Sequence, residues 1–137
     1  MIITNEHRLD LLIRLSFSRA DLARVRDLVL RAARRAGLDR RRAQQLVIAV
    51  HEAVVNAVEH GGGGGRLELR QDGRGRVVVR VSDAGPGFPD PGEVACPEPT
   101  AEHGRGLWLI QQTCDRVEIS TGPGGTTLQL VINRPNG

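Results

Sequence analysis

At 137 residues, 39% apolar and 26% charged, the chain is long enough for one real core and reads as a single domain over residues 1–137. All nineteen basic side chains are Arg and none is Lys. That excludes Schiff-base and amine-nucleophile chemistry, a P-loop and a protein kinase of the eukaryotic type, each of which needs a lysine.

Charge is unevenly spread. Residues 1–42 carry eleven Arg against five acids, a balance of +6, and the remainder eight Arg against eleven acids, or −3. A basic N-terminal part fits an acidic partner or nucleic acid, and equally a well-solvated helix. Only Phe17, Phe88 and Trp108 are aromatic, so the core is aliphatic and base stacking on single strands is poorly supported. The start, MIITNEHRLD, does not read as a signal peptide, and no apolar run reaches membrane-spanning length. Cys96 and Cys114 have neither CxxC nor metal-ligand spacing. The expected location is the cytoplasm.

Leu9, Leu11, Ile13, Leu15 and Phe17 alternate at period two, which predicts a first strand with one buried face. Ser18 and Asp21 then form a capping box for a helix carrying Leu22, Val25, Val29, Ala32 and Ala33 inward, with Gly37 as its stop. Asp39 caps a second helix that runs through Leu46, Val47 and Val50 into HEAVVNAVEHG, residues 51–61. Arg66–Gln71 and Arg76–Ser82 are strands of a hairpin around Asp72-Gly73. Residues 85–100 hold five prolines and three glycines and read as a mobile loop. A short helix from about Gly106 to Thr113 precedes a closing hairpin, Val117–Thr121 and Thr126–Ile132. This order suits an α+β two-layer sandwich, a mixed, mostly antiparallel sheet with helices on one face.

Within the second helix Glu52, Asn56 and His60 recur every four residues and share a side, while Ala53, Val54, Ala57 and Val58 lean inward. A carboxylate and a carboxamide so placed can orient a nucleophile and hold a hard cation; the plain alternative is a solvated polar stripe. Ser82-Asp83-Ala84-Gly85-Pro86-Gly87 puts an acid at a strand end, able to accept from an adenine amine, or simply forms a turn. Gly104-Arg105-Gly106-Leu107 opens a helix, where free N–H groups suit phosphate. Gly125-Thr126-Thr127 opens the last strand. Taken separately each has an ordinary structural reading, but in this order they make one ligand pocket.

The set resembles the N, G1 and G2 boxes of the GHKL (Bergerat-fold) ATPase superfamily, in particular its bacterial anti-sigma-factor serine kinases of the stress and sporulation type. LVIAVHEAVVNAVEHG (46–61), VSDAGPGF (81–88) and HGRGLWLIQQTCDRVEI (103–119), followed by Gly125-Thr126-Thr127, carry it. The resemblance implies a histidine-kinase-like ATPase fold binding ATP and Mg²⁺. Asn56 would hold the Mg²⁺, and Glu52 would be the general base for a partner's Ser or Thr. Asp83 would accept from the adenine amine, beside Gly85 and Gly87. Gly104, Arg105, Gly106 and Leu107 would close over the phosphates at the end of a lid spanning about 88–104. Thr126 would reach the adenine side through water. His60 has a structural or lid role by the same reading.

The implied function is an anti-sigma factor that phosphorylates a STAS-type anti-anti-sigma protein and sequesters a sigma factor. Arg24 lies in the region such proteins present to partners, and a homodimer through the first strand and helix is implied as well. No membrane and no direct nucleic-acid binding are expected. Three departures stand out: His51 before the Glu, five consecutive glycines (61–65), and a short, proline-rich lid. A non-catalytic ATP-binding regulatory module is the alternative function.

Overall fold

The computed structural model describes residues 9–73, 75–85 and 104–133. Its elements are β1 (Leu9–Ser18), a 3₁₀ turn (Arg19–Asp21), α1 (Leu22–Arg35), α2 (Arg40–His60), β2 (Gly64–Asp72), β3 (Arg76–Asp83), α3 (Gly104–Thr113), β4 (Arg116–Gly122) and β5 (Gly125–Asn133). The strands form one sheet in the order β1-β2-β3-β5-β4, and every neighbouring pair is antiparallel.

Local chemistry sets the helix ends. The Ser18 N–H and hydroxyl both donate to the Asp21 carboxylate, at 2.9 and 3.2 Å, and close the 3₁₀ turn before α1. Gly37, at φ +97°, reverses the chain after α1, a conformation that penalises any side chain. Asp39 accepts the Arg42 N–H at 2.8 Å and caps α2.

The core lies between the sheet and the helices. Val25, Val29, Ala32 and Ala33 of α1 are buried, as are Leu46, Ala49, Val50, Ala53, Val54 and Ala57 of α2. They meet Leu67 and Leu69 of β2, Val77, Val79 and Val81 of β3, and Leu128, Leu130 and Ile132 of β5, every second residue of each strand. Helix α2 packs against α1, α3 and three strands, so it is the central helix. The opposite face is polar: Arg70 donates to Glu68 at 2.8 Å, with Arg14 at 3.6 Å. The Arg70 hydrogen bond, with the neighbouring positive charges, holds the Glu68 carboxyl below its usual range.

One expectation changes. A register shift between Leu11 and Ile13 breaks the alternation of β1. Ile13, Leu15 and Phe17 stand opposite Leu69, Leu67 and Gly65 and face the core, whereas Leu11 stands opposite Arg70 and is 41% exposed. An irregularity of this kind adds a residue to one strand and turns the side chains before it to the other face.

A polar clasp ties the two ends of the fold together. Arg42 at the start of α2 reaches the Asp115 carboxylate, donates to Asn133 O at 3.1 Å, and donates to Gln45 at 3.1 Å. Asp115 in turn accepts the Asn133 N–H at 2.6 Å.

Candidate functional site

Asp83 ends β3 opposite Thr126, where the sheet runs into the C-terminus of α2. Its Oδ1 accepts the Gly85 N–H at 3.0 Å and the Thr126 N–H at 3.3 Å. Oδ2 accepts no hydrogen bond among the described residues. The carboxylate is thus oriented by backbone while keeping a free acceptor, which suits an exocyclic amine.

Three glycines from three segments close around it. A β-carbon on Gly61 would lie 2.3 Å from Asp83 Cγ, one on Gly85 would lie 2.5 Å from Gly61 Cα, and one on Gly125 would lie 2.0 Å from Asp83 O. No side chain fits at any of these positions. Gly61 also donates its N–H to Ala57 O at 2.8 Å, so the end of α2 is fixed against the end of β3. Thr126 is buried, and its hydroxyl shares a hydrogen bond of 2.8 Å with that of Thr121 across β4 and β5. An open cleft of about 570 Å³ adjoins Asp83, lined also by Gly61, Gly62, Gly64, Gly65, Ser16, Arg66, Ser82 and Ala84. It opens beside Ser16, Arg66 and Ser82, which alternate with the core-facing Leu67 and Val81, and its lining includes neither Glu52 nor Asn56.

The glycine run has a defined path here. Gly62 and Gly63 take positive φ in the turn, and Gly64 and Gly65 pair with Ser18 and Phe17 as β2 begins.

Glu52 and Asn56 lie on α2, two turns and one turn before its end. Both are half-buried, and neither has a hydrogen-bond or ion-pair partner among the described residues. His60 Nε2 lies 4.0 Å from Glu59. His51 Nδ1 is buried without a hydrogen-bond partner among the described residues. Gly104, Arg105, Gly106 and Leu107 form the first turn of α3, which begins two residues before the expected start at about Gly106. Gly87 and residues 88–103 of the expected lid lie outside the described residues. Arg24 is exposed on α1, 3.9 Å from Asp21.

Sequence reasoning did not assign Gly61 a contact with Asp83, nor Thr121 a place beside Thr126. Gly61 directly follows the helix motif, which was the available signal; Thr121 emerges only from the β4–β5 register.

Among the described residues no group of three or more His, Cys, Asp or Glu could hold a metal. Asn56 would offer a Mg²⁺ ion one amide oxygen, a hard donor of the kind this small, strongly hydrated ion accepts beside phosphate oxygens and water.

The fold is an antiparallel five-stranded sheet with helices packed on it, and the sequence contains no P-loop. The chain belongs to the histidine kinase-like ATPase domain family, whose pattern it matches over residues 15–132. Its fold is similar to the RsbU and RsbW domains of Rv1364c from Mycobacterium tuberculosis, with a TM-score of 0.66 and 24% identity over 89% of this chain. The match covers 32% of that protein, so the chain spans about a third of its length. It is also similar to the histidine kinase domain of the blue-light-activated histidine kinase EL346 from Erythrobacter litoralis. There the TM-score is 0.57 and the identity 18%, over 90% of this chain and 67% of that one. Comparison with curated proteins returns no match. No helix among the described residues is long and apolar enough to cross a membrane.

Proposed function

We propose that this domain is an ATP-dependent protein-serine/threonine kinase acting as an anti-sigma factor. It would phosphorylate a STAS-type anti-anti-sigma protein and, in the alternative complex, sequester a sigma factor, in the cytoplasm. The observation that carries this reading is the placement of Glu52 and Asn56. Neither has a partner among the described residues, and both lie on one side of a helix whose end is fixed against Asp83. Membership of the ATPase family and the RsbW-containing neighbour support it.

ATP, when bound, would supply its γ-phosphoryl group to the partner's hydroxyl and leave as ADP. Asp83 accepts from the adenine amine through its free oxygen, and the glycines around it let the flat ring approach the backbone. The Asn56 amide oxygen would hold Mg²⁺, whose positive charge would offset the negative charge of the phosphates. The first turn of α3 would offer its N–H groups to the phosphates, with Arg105 adding charge by the resemblance. Glu52 accepts the proton of the partner's hydroxyl, which sharpens that oxygen as a nucleophile. Arg24 contributes to the partner surface.

The test is transfer of label from γ-labelled ATP to a panel of STAS proteins, with phosphoserine or phosphothreonine identified in the product. Transfer to one of them establishes the kinase. ATP binding with no transfer to any would reassign the domain as a nucleotide-controlled regulatory module.

A further inference from the structure

We propose that the exposed line of α2 leading to Glu52 is the docking track for the partner segment that delivers the hydroxyl. That segment is acidic where it meets Arg40 and Arg41 and apolar where it meets Ile48. The inference rests on the kinase reading above and names the chemistry of its protein substrate.

Arg41, Ile48 and Glu52 fall at helical spacing, seven and then four residues apart, so they follow one line along α2. At 1.5 Å per residue, Ile48 lies about 6 Å and Arg41 about 16 Å from Glu52. Ile48 is 52% exposed. The other large apolar side chain exposed among the described residues, Leu11, lies on the far face of the sheet. A single exposed isoleucine needs no explanation in general. This one stands one turn from the proposed base, on the side a protein substrate must cover.

Arg40 and Arg41 begin α2, at the positive end of its dipole, where cations are disfavoured. The first turn contains no acid, and the Asp39 cap is occupied by the Arg42 N–H. Arg42 itself is engaged by Asp115, and Arg31 by Asp27 at 3.3 Å, while Arg40 and Arg41 are exposed and have no partner among the described residues. Two cations held where the helix opposes them, and unused by the fold, are complementary to carboxylates from outside.

An extended segment advances about 3.3 Å per residue. It would therefore present an apolar side chain about two residues, and an acid about five residues, from its hydroxyl. A protein fits this track better than a nucleic acid, because a polyanion following the same line would lay phosphates over Glu52 and Glu59.

The test uses the full chain loaded with a non-hydrolysable ATP analogue and labelled peptides of equal length. Each has one Ser with Leu two residues away and a triplet of Glu, Gln or Lys five residues away. Binding is read by fluorescence anisotropy at low salt. The Glu peptide is expected to bind about tenfold tighter than the Lys peptide. Arg40→Glu with Arg41→Glu should invert that order, and Ile48→Ser should weaken the Glu peptide about tenfold, both with nucleotide affinity unchanged.

Equal binding of the three peptides, or an order unaltered by charge reversal, would overturn the proposal. So would duplex DNA displacing the Glu peptide through the same two arginines, which would mark a nucleic-acid surface. The expected peptide order combined with no phosphotransfer to any STAS protein would contradict the kinase reading and leave the docking track supported.

Discussion

Gly61 and Asp83 are packed so tightly that a β-carbon on Gly61 would lie 2.3 Å from Asp83 Cγ and 2.5 Å from Oδ2. The end of α2 and the end of β3 are thereby fixed to each other, and with them Glu52, Asn56 and the free Asp83 oxygen. The proposed site would join the polar side of the helix to the acid at the strand end through this glycine contact.

Gly61→Ala is therefore expected to displace the Asp83 carboxylate and lower ATP affinity by at least tenfold. Asp83→Asn, which keeps the shape but removes the charge, should lower it 10- to 100-fold, corresponding to a charge-assisted hydrogen bond of about 1.5–3 kcal/mol. Calorimetric titration of ATP into each variant measures both. Wild-type affinity in Gly61→Ala would show that the contact does not position the acid.

Asn56→Ala should remove the Mg²⁺ dependence of nucleotide binding. ATP titrations with and without magnesium would differ for the native chain and coincide for the variant. Persistence of the magnesium effect would place the ion elsewhere.

Cys114 gives a prediction about alkaline stability. Burial pushes its thiol from an ordinary 9.0 up to about 12, with Asp115 adding to the rise. The folded state therefore keeps the thiol neutral while the unfolded chain ionises it. Stability from this group is whole below pH 9.0 and is lost as pH rises towards about 12, by about 1.4 kcal/mol per unit. The chain has no Lys and no Tyr, so few other groups titrate in that window. Denaturant midpoints measured across this range in a Cys96→Ser background should fall more steeply than in the same background carrying Cys114→Ala. Parallel profiles would refute the assignment.

The clasp at Arg42 should hold the first turn of α2 to the end of β5. Arg42→Ala is expected to lower unfolding free energy by about 1–2 kcal/mol, since the side chain is partly shielded and makes charge-assisted bonds. Asp115→Ala should add little on top, because the two residues act through one network. Full additivity of the two losses in chemical denaturation would show that they act separately.

Much of this was legible in the sequence because the signals are local. Ser18 with Asp21, Gly37 and Asp39 declare helix ends through hydrogen bonds within a few residues. Val77, Val79 and Val81 alternate and are buried on one face. The boxes around Glu52, Asn56, Asp83 and Thr126 could be ordered because each is a short pattern. The exposure of Leu11 was not legible, since the shift in β1 depends on how that strand pairs with β2. Neither was the approach of Gly61, Gly85 and Gly125 to Asp83, nor the Thr121–Thr126 bond. Each joins segments far apart or across a register, and spacing within one segment does not encode them.

The most direct test of the account is Glu52→Ala. Nucleotide affinity and label transfer to the cognate STAS protein are measured on the same preparation, beside the native chain. ATP affinity is expected to stay within about twofold of native and transfer to fall by at least 100-fold, as loss of a general base requires. Undiminished transfer by Glu52→Ala would contradict the account.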